Sequence, residues 1–207
     1  NGIPALPGPV PSDNNKSKSP TTSSTPTWAP VGKGQDWPVW SRDGSGNLYS
    51  PETGIAASFD PGKFVKGTED IDLSTTENVR WVAKLGSQVY GNPTVADGRV
   101  FVGTNNASPR DPRYKGDMSM VMAFREKDAE LLWQLAVPKL GAGKVSDWEY
   151  LGICSSPAVD GETAYVVSSR GEVLALDVHG MANGNQGVQD EAQYTAGPGK
   201  PPIPSGP

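Results

Sequence analysis

The chain has 207 residues, a formal net charge of -5 and only 35% hydrophobic residues, against 25 glycines and 20 prolines. Its acidic balance offers no basic stripe to neutralise phosphates, which excludes nucleic acid as a partner, and no run of 18 apolar residues is present to span a membrane. The single cysteine, Cys154, excludes an intrachain disulfide and a multi-cysteine zinc site, and is expected to be a small buried residue beside a strand.

The sequence begins at Asn1 with no apolar signal segment, as expected of a mature exported form or of a segment cut from a longer chain. Residues 1–30 hold seven prolines and nine Ser or Thr. Such a stretch buries too little surface to offset its ordering entropy, so it reads as an extended linker. The composition changes from residue 31. Trp37, Trp40 and Tyr49 in a polar region point to anchoring on a core. Asp43, Ser45 and Asn47 have the first spacings of a calcium loop, but Leu48 and Gly54 stand where the sharp-turn glycine and the bidentate carboxylate belong, which argues against a site there. Residues 52–78 lack periodicity and read as a long excursion with a helical turn.

Val79, Trp81, Ala83 and Leu85 fall on one face at period two, as in a strand ending at Gly86. A pattern then begins that returns later in the chain. In its first copy Asn92-Pro93-Thr94-Val95 leads to a turn at Asp97-Gly98, then to Val100-Phe101-Val102-Gly103-Thr104 and Met120-Val121-Met122-Ala123-Phe124. In the second, Ser156-Pro157-Ala158-Val159 leads to Asp160-Gly161, then to Ala164-Tyr165-Val166-Val167 and Val173-Leu174-Ala175-Leu176. Each copy reads as strand, tight turn, strand, loop, strand, because β-branched and aromatic residues flank a turn pair that tolerates positive φ. The polar insertions 107–117 and 138–147 belong in loops at a sheet rim. From 181 to 207 the chain returns to Gly, Asn, Gln and Pro, a second linker or long loop.

The run from Ala123 to Trp133, Ala-Phe-Arg-Glu-Lys-Asp-Ala-Glu-Leu-Leu-Trp, resembles the tryptophan docking motif of quinoprotein β-propellers. The Ala-to-Trp spacing is kept, while Arg125, Asp128 and Ala129 depart from the motif's Asp, Thr and Gly. Ala175-Leu176-Asp177-Val178-His179-Gly180 is similar to its opening half, and Trp40, Arg42-Asp43, Asn47, Tyr49-Ser50-Pro51 and Trp81 are similar to the lead-in strand of dehydrogenases that use pyrroloquinoline quinone (PQQ). The resemblance covers residues 37–180. It implies an all-β chain, a partial β-propeller of four-stranded antiparallel blades over residues 31–180, with Trp81 and Trp133 buried between sheets.

In the enzymes of that family a glutamate three residues before the blade-one proline contacts the quinone; here that place is Tyr90. Their adjacent cysteines over the cofactor ring have one counterpart at most, Cys154. The expected function is therefore a non-catalytic binding or scaffold module of an exported, periplasmic or cell-envelope assembly, with no cofactor. The alternative is a PQQ-dependent alcohol dehydrogenase with calcium and with ligands beyond residue 207, and a third reading is a carbohydrate-binding or surface protein. No multi-histidine site, Walker loop or nucleophile elbow is present. The lone His179 reads as a solvated loop residue, and Asp177, Asn183 and Asn185, with Asp190 and Glu191, are candidate calcium ligands. Pro93 and Pro157 mark a pitch of 64 residues, so about two blades are present where propellers close with about four to eight. The open faces are expected to be covered by more of the polypeptide, another chain or further copies of this one.

Overall fold

A computed structural model describes residues 36–139 and 148–182. The linkers expected over 1–30 and most of 181–207 lie outside these residues. The described residues are all-β. Nine strands, β1 (Lys63–Phe64), β2 (Ile71–Asp72), β3 (Thr94–Ala96), β4 (Arg99–Asn105), β5 (Met118–Arg125), β6 (Leu131–Pro138), β7 (Ala158–Asp160), β8 (Thr163–Val167) and β9 (Val173–Asp177), are accompanied by a single 3-10 turn at Leu73–Thr75. They make three antiparallel sheets, β1-β2, β3-β4-β5-β6 and β7-β8-β9, that do not close into a ring. The two larger sheets are consecutive up-and-down meanders, one per repeat, as in a partial β-propeller. Pro138, expected in a loop, is instead the last residue of β6, opposite Met118.

The two copies use their Asp-Gly pairs differently. Ala96 pairs with Arg99, so Asp97 and Gly98 are the central turn residues, and both have positive φ, 48° and 68°. In the second copy Asp160 pairs with Thr163 and the central residues are Gly161 and Glu162, with positive φ at Gly161 alone. These are the I′-like and II′-like solutions to one problem, a two-residue loop whose twist must match its strands. The Asp-Gly pair can slip by one residue without changing strand register.

Side chains alternate across the first sheet. Phe101, Val121, Ala123, Trp133 and Val137 form a core with Val159, Ala164, Val166 and Val178 of the second sheet. Trp133 lies between the sheets as expected, its ring 6.0 Å from that of Phe101 and its Nε1 donating to the Val178 carbonyl at 2.9 Å. On the opposite face Val102, Met118, Met120, Met122 and Phe124 are covered by Tyr114 from the 106–117 loop and by Ala83 and Leu85.

Residues 79–85 show the expected alternation of burial, but they form no ladder and are extended chain laid over that opposite face. Trp81 is thus not buried between the two sheets. It is half-buried on the far side of the first, its Nε1 donating to the Glu126 carbonyl at 2.7 Å. The period-two pattern is the same for a strand in a sheet and for an extended segment lying on one, because both bury alternate side chains.

Between Phe124 and Trp133 the docking-motif run makes the β5-β6 turn. Ala123 pairs with Trp133 and Phe124 with Leu131, so Leu132 is an extra bulge residue. Ala129, where the motif carries Gly, takes φ 60°. Arg125 takes over the turn chemistry through ion pairs to Asp128 and Glu130.

Residues of the two copies that correspond in the repeat touch each other at the inner strands. Asn92 N donates to Ser156 Oγ at 2.9 Å, and a Cβ on Gly91 would stand 2.5 Å from the Ser155 carbonyl oxygen. Contact between corresponding residues places β3 and β7 side by side around a common axis. A strap crosses these inner edges: Trp37 exchanges backbone bonds with Val95 at 2.7 and 2.9 Å, and the Pro38 carbonyl accepts from Val159 N at 2.8 Å. Of the aromatics expected to anchor this region, Trp37 is half-buried whereas Trp40 and Tyr49 are exposed. Residues 40–75 carry little core, only the β1-β2 pair and the short turn capped by Asp72, whose carboxylate accepts from Ser74 N at 3.0 Å.

Candidate functional site

Two rims flank the axis, and each holds residues the sequence singles out. At the first, where β4 ends, Thr104 Oγ1 donates to the Gln88 carbonyl at 2.9 Å and accepts from Gly86 N at 3.1 Å. Asn105, only 1% exposed, accepts at Oδ1 from Ser87 N (3.0 Å) and Ala107 N (2.9 Å), and donates from Nδ2 to Ser87 Oγ (3.0 Å) and to the Tyr150 carbonyl. Its whole amide capacity is used to tie three loops together, which makes it a scaffold of the rim. Nothing but the turn signal of the Asn105-Asn106 pair marks it in sequence.

Tyr90 and Cys154 stand at corresponding positions of the two repeats, on either side of the Gly91 and Ser155 contact. Tyr90 is exposed and its hydroxyl donates to Gln88 Oε1 at 3.0 Å. Cys154 is also exposed, which overturns its expected burial: it lies in the loop at the axial rim rather than beside a strand in the core. Partial desolvation of the sulfur raises the thiol pKa above its ordinary value, with Lys139 opposing. An exposed residue with a raised thiol is poorly suited to act as a nucleophile.

At the opposite rim, below the two Asp-Gly turns, His179 is half-buried rather than solvated. Its Nδ1 lies 2.8 Å from Arg99 Nη2 and its Nε2 lies 2.7 Å from Glu162 Oε2. These partners are 80 and 17 residues away in the chain, which is why a local reading of the turn misses them. Gly180, next to it, has φ 60°, and a Cβ there would stand 2.6 Å from the Trp133 ring. Gly180, three residues past the end of β9, is thus the floor of the Trp133 pocket.

Among the metal candidates, Asp177 accepts from His179 N at 2.7 Å, while Asn183 and Asn185 lie outside the described residues. Asp43 closes a local turn with Ser45, whose hydroxyl and N–H hold the carboxyl below its ordinary pKa. Among the described residues no three of His, Cys, Asp or Glu gather as a metal site would require. Nor is any described helix long and apolar enough to cross a membrane.

A match over residues 32–196 to the family described as outer membrane protein assembly factor BamB, of PQQ-like repeats, decides the relationship. The chain belongs to that family. The match spans the strap, the 79–85 segment, both Asp-Gly turns and the docked Trp133. No curated protein matches the chain closely enough to count as a relative. The quinone-binding reading finds a poor donor set at the axial rim. Tyr90 offers a phenol already engaged with Gln88 where a carboxylate is needed for calcium, and Gly91 and Ser155 close on each other beside it.

Proposed function

We propose that this chain is a non-catalytic binding or scaffold module of a cell-envelope protein assembly, with no quinone cofactor. One observation carries the reading. The outward face of the second sheet presents Tyr165, Val167, Val173 and Ala175 in register, Tyr165 opposite Ala175 and Val167 opposite Val173. Tyr165 is 42% and Val173 72% exposed. In the first sheet the corresponding face, with Phe101 and Ala123, is covered by the neighbouring sheet. A contiguous apolar sheet face is a surface for protein contact. The family description, an outer membrane protein assembly factor, supports a periplasmic setting and a protein partner.

The partner that fits is another sheet of the same kind, from further polypeptide or from a second chain. Replacing Val173 by Asp and Tyr165 by Glu together is expected to abolish association or further oligomerisation in sedimentation experiments, leaving the far-ultraviolet spectrum unchanged. Dye-linked alcohol oxidation after loading with calcium and PQQ would overturn the proposal in favour of the dehydrogenase reading.

A further inference from the structure

We propose that the outer edge of β9 is a strand-addition site for an extended segment of another polypeptide, one that lays an indole over Ala175. This rests on the reading of the chain as a protein-binding module and names the form its partner takes. In the first sheet Phe101, Ala123 and Trp133 lie in one row across β4, β5 and β6, Phe101 opposite Ala123 and Ala123 opposite Trp133. The small alanine lets the two rings meet above it, their centroids 6.0 Å apart. The second sheet repeats the first two places of the row: Tyr165 lies opposite Ala175, and both are exposed. No described strand occupies the third place.

The backbone of β9 is open on the same side. Val178 N donates to the Glu162 carbonyl at 3.1 Å and Ser168 N to the Glu172 carbonyl at 2.8 Å. Even-numbered residues of this stretch therefore turn their amides toward β8, and Val173 and Ala175 turn theirs outward. The first sheet has the same parity about its alanine, since Arg125 N, two residues past Ala123, donates across to the Glu130 carbonyl at 2.8 Å. No hydrogen bond among the described residues uses the four outward backbone groups of Val173 and Ala175.

The other edges of the two large sheets are guarded. β6 carries a bulge at Leu132 and ends in Pro138, and the strap crosses the inner edges of β3 and β7. In contrast β9, Val-Leu-Ala-Leu-Asp, pairs with β8 without a register shift and has no lysine, proline or bulge to deter another strand. Nor does the sequence supply the missing residue at the repeat's own spacing. Trp133 stands ten residues after Ala123; ten residues after Ala175 stands Asn185, within Asn183-Gly184-Asn185-Gln186-Gly187, a run without β-branched or aromatic residues. An extended segment antiparallel to β9 finds four backbone partners at Val173 and Ala175 and a slot beside Tyr165 for its ring, which is how peptides add to sheet edges.

The strand that fills this place in the first sheet serves as the probe: a synthetic peptide of residues 130–139, titrated into the 15N-labelled chain. Binding is expected to shift the amide signals of Val173 and Ala175 and to slow their hydrogen exchange about tenfold or more at saturation. Replacing the peptide's tryptophan by alanine should weaken binding about tenfold. Methylating the backbone nitrogen of that tryptophan deletes its bond to the Ala175 carbonyl and keeps every side chain, and should weaken binding by a similar factor. On the chain, Val173→Pro removes one outward N–H without touching the ladder to β8 and should do the same. Tyr165→Ser, at an exposed position, tests the slot if Val173→Pro fails to fold. Slow exchange at Val173 and Ala175 before any peptide is added would assign the edge to this chain's own polypeptide and overturn the proposal. Absence of binding, or binding indifferent to N-methylation, would overturn it too; the second of these results leaves the apolar face as the contact and the protein-binding reading in place.

Discussion

Phe101 in the first large sheet and Tyr165 in the second occupy the same position of the repeat, yet Phe101 is fully buried and Tyr165 is 42% exposed. Both sit on strands that follow a two-residue turn, and both face away from the chain that precedes them. The difference comes from what lies beyond: the second sheet covers the first, and no described sheet covers the second. The first sheet is also covered on its other face, by Tyr114, Ala83 and Leu85. Burial in this architecture is thus conferred by neighbours rather than by the unit itself, so identical repeat positions carry different energetic weight.

That contrast can be broken most directly at those two residues. Phe101→Ala is expected to cost about 3–5 kcal/mol in urea unfolding, and Tyr165→Ala at most about 1 kcal/mol. Equal losses would show that the second face is covered in solution. A second contrast sets glycines against each other. Gly180→Ala combines a positive φ with a Cβ 2.6 Å from the Trp133 ring and should cost about 2–4 kcal/mol. Gly171→Ala, with φ 75° but open space, should cost only about 1–2 kcal/mol. The smallest effect is expected at the β5-β6 turn. Ala129→Gly relieves a left-handed residue worth about 1–2 kcal/mol while freeing the unfolded chain by about 0.4–1 kcal/mol, a net gain of about 0.5–1 kcal/mol. A fall in melting temperature in that variant would refute the strain assigned to φ 60°.

The parts of this fold that were legible from sequence are those with short-range causes. The Asp-Gly pairs fix both hairpins, and the Ala123 to Trp133 spacing fixes the docked tryptophan with its bulge at Leu132. The parts that were not legible depend on what comes from elsewhere. Residues 79–85 alternate like a strand, but only the folded chain shows that no ladder partner is present among the described residues. Cys154 follows the apolar Ile153, which is fully buried, and local hydropathy does not separate the two; its correspondence with Tyr90 at the axial rim does. Half of the rim chemistry, the Asn105 hub and the Arg99 to His179 contact, joins residues too distant for any local pattern.

The strap at residues 36–38 has a consequence for the order of folding. Every pairing within the two large sheets is a hairpin between consecutive strands, quick to close because little chain must be looped. The strap instead needs both inner strands in place before its bonds to Val95 and Val159 can form together. It is therefore the late step that fixes the angle between the two sheets. By the same reasoning the amide protons of Trp37 and Val159 are the first in the axial region to exchange when the native molecule breathes.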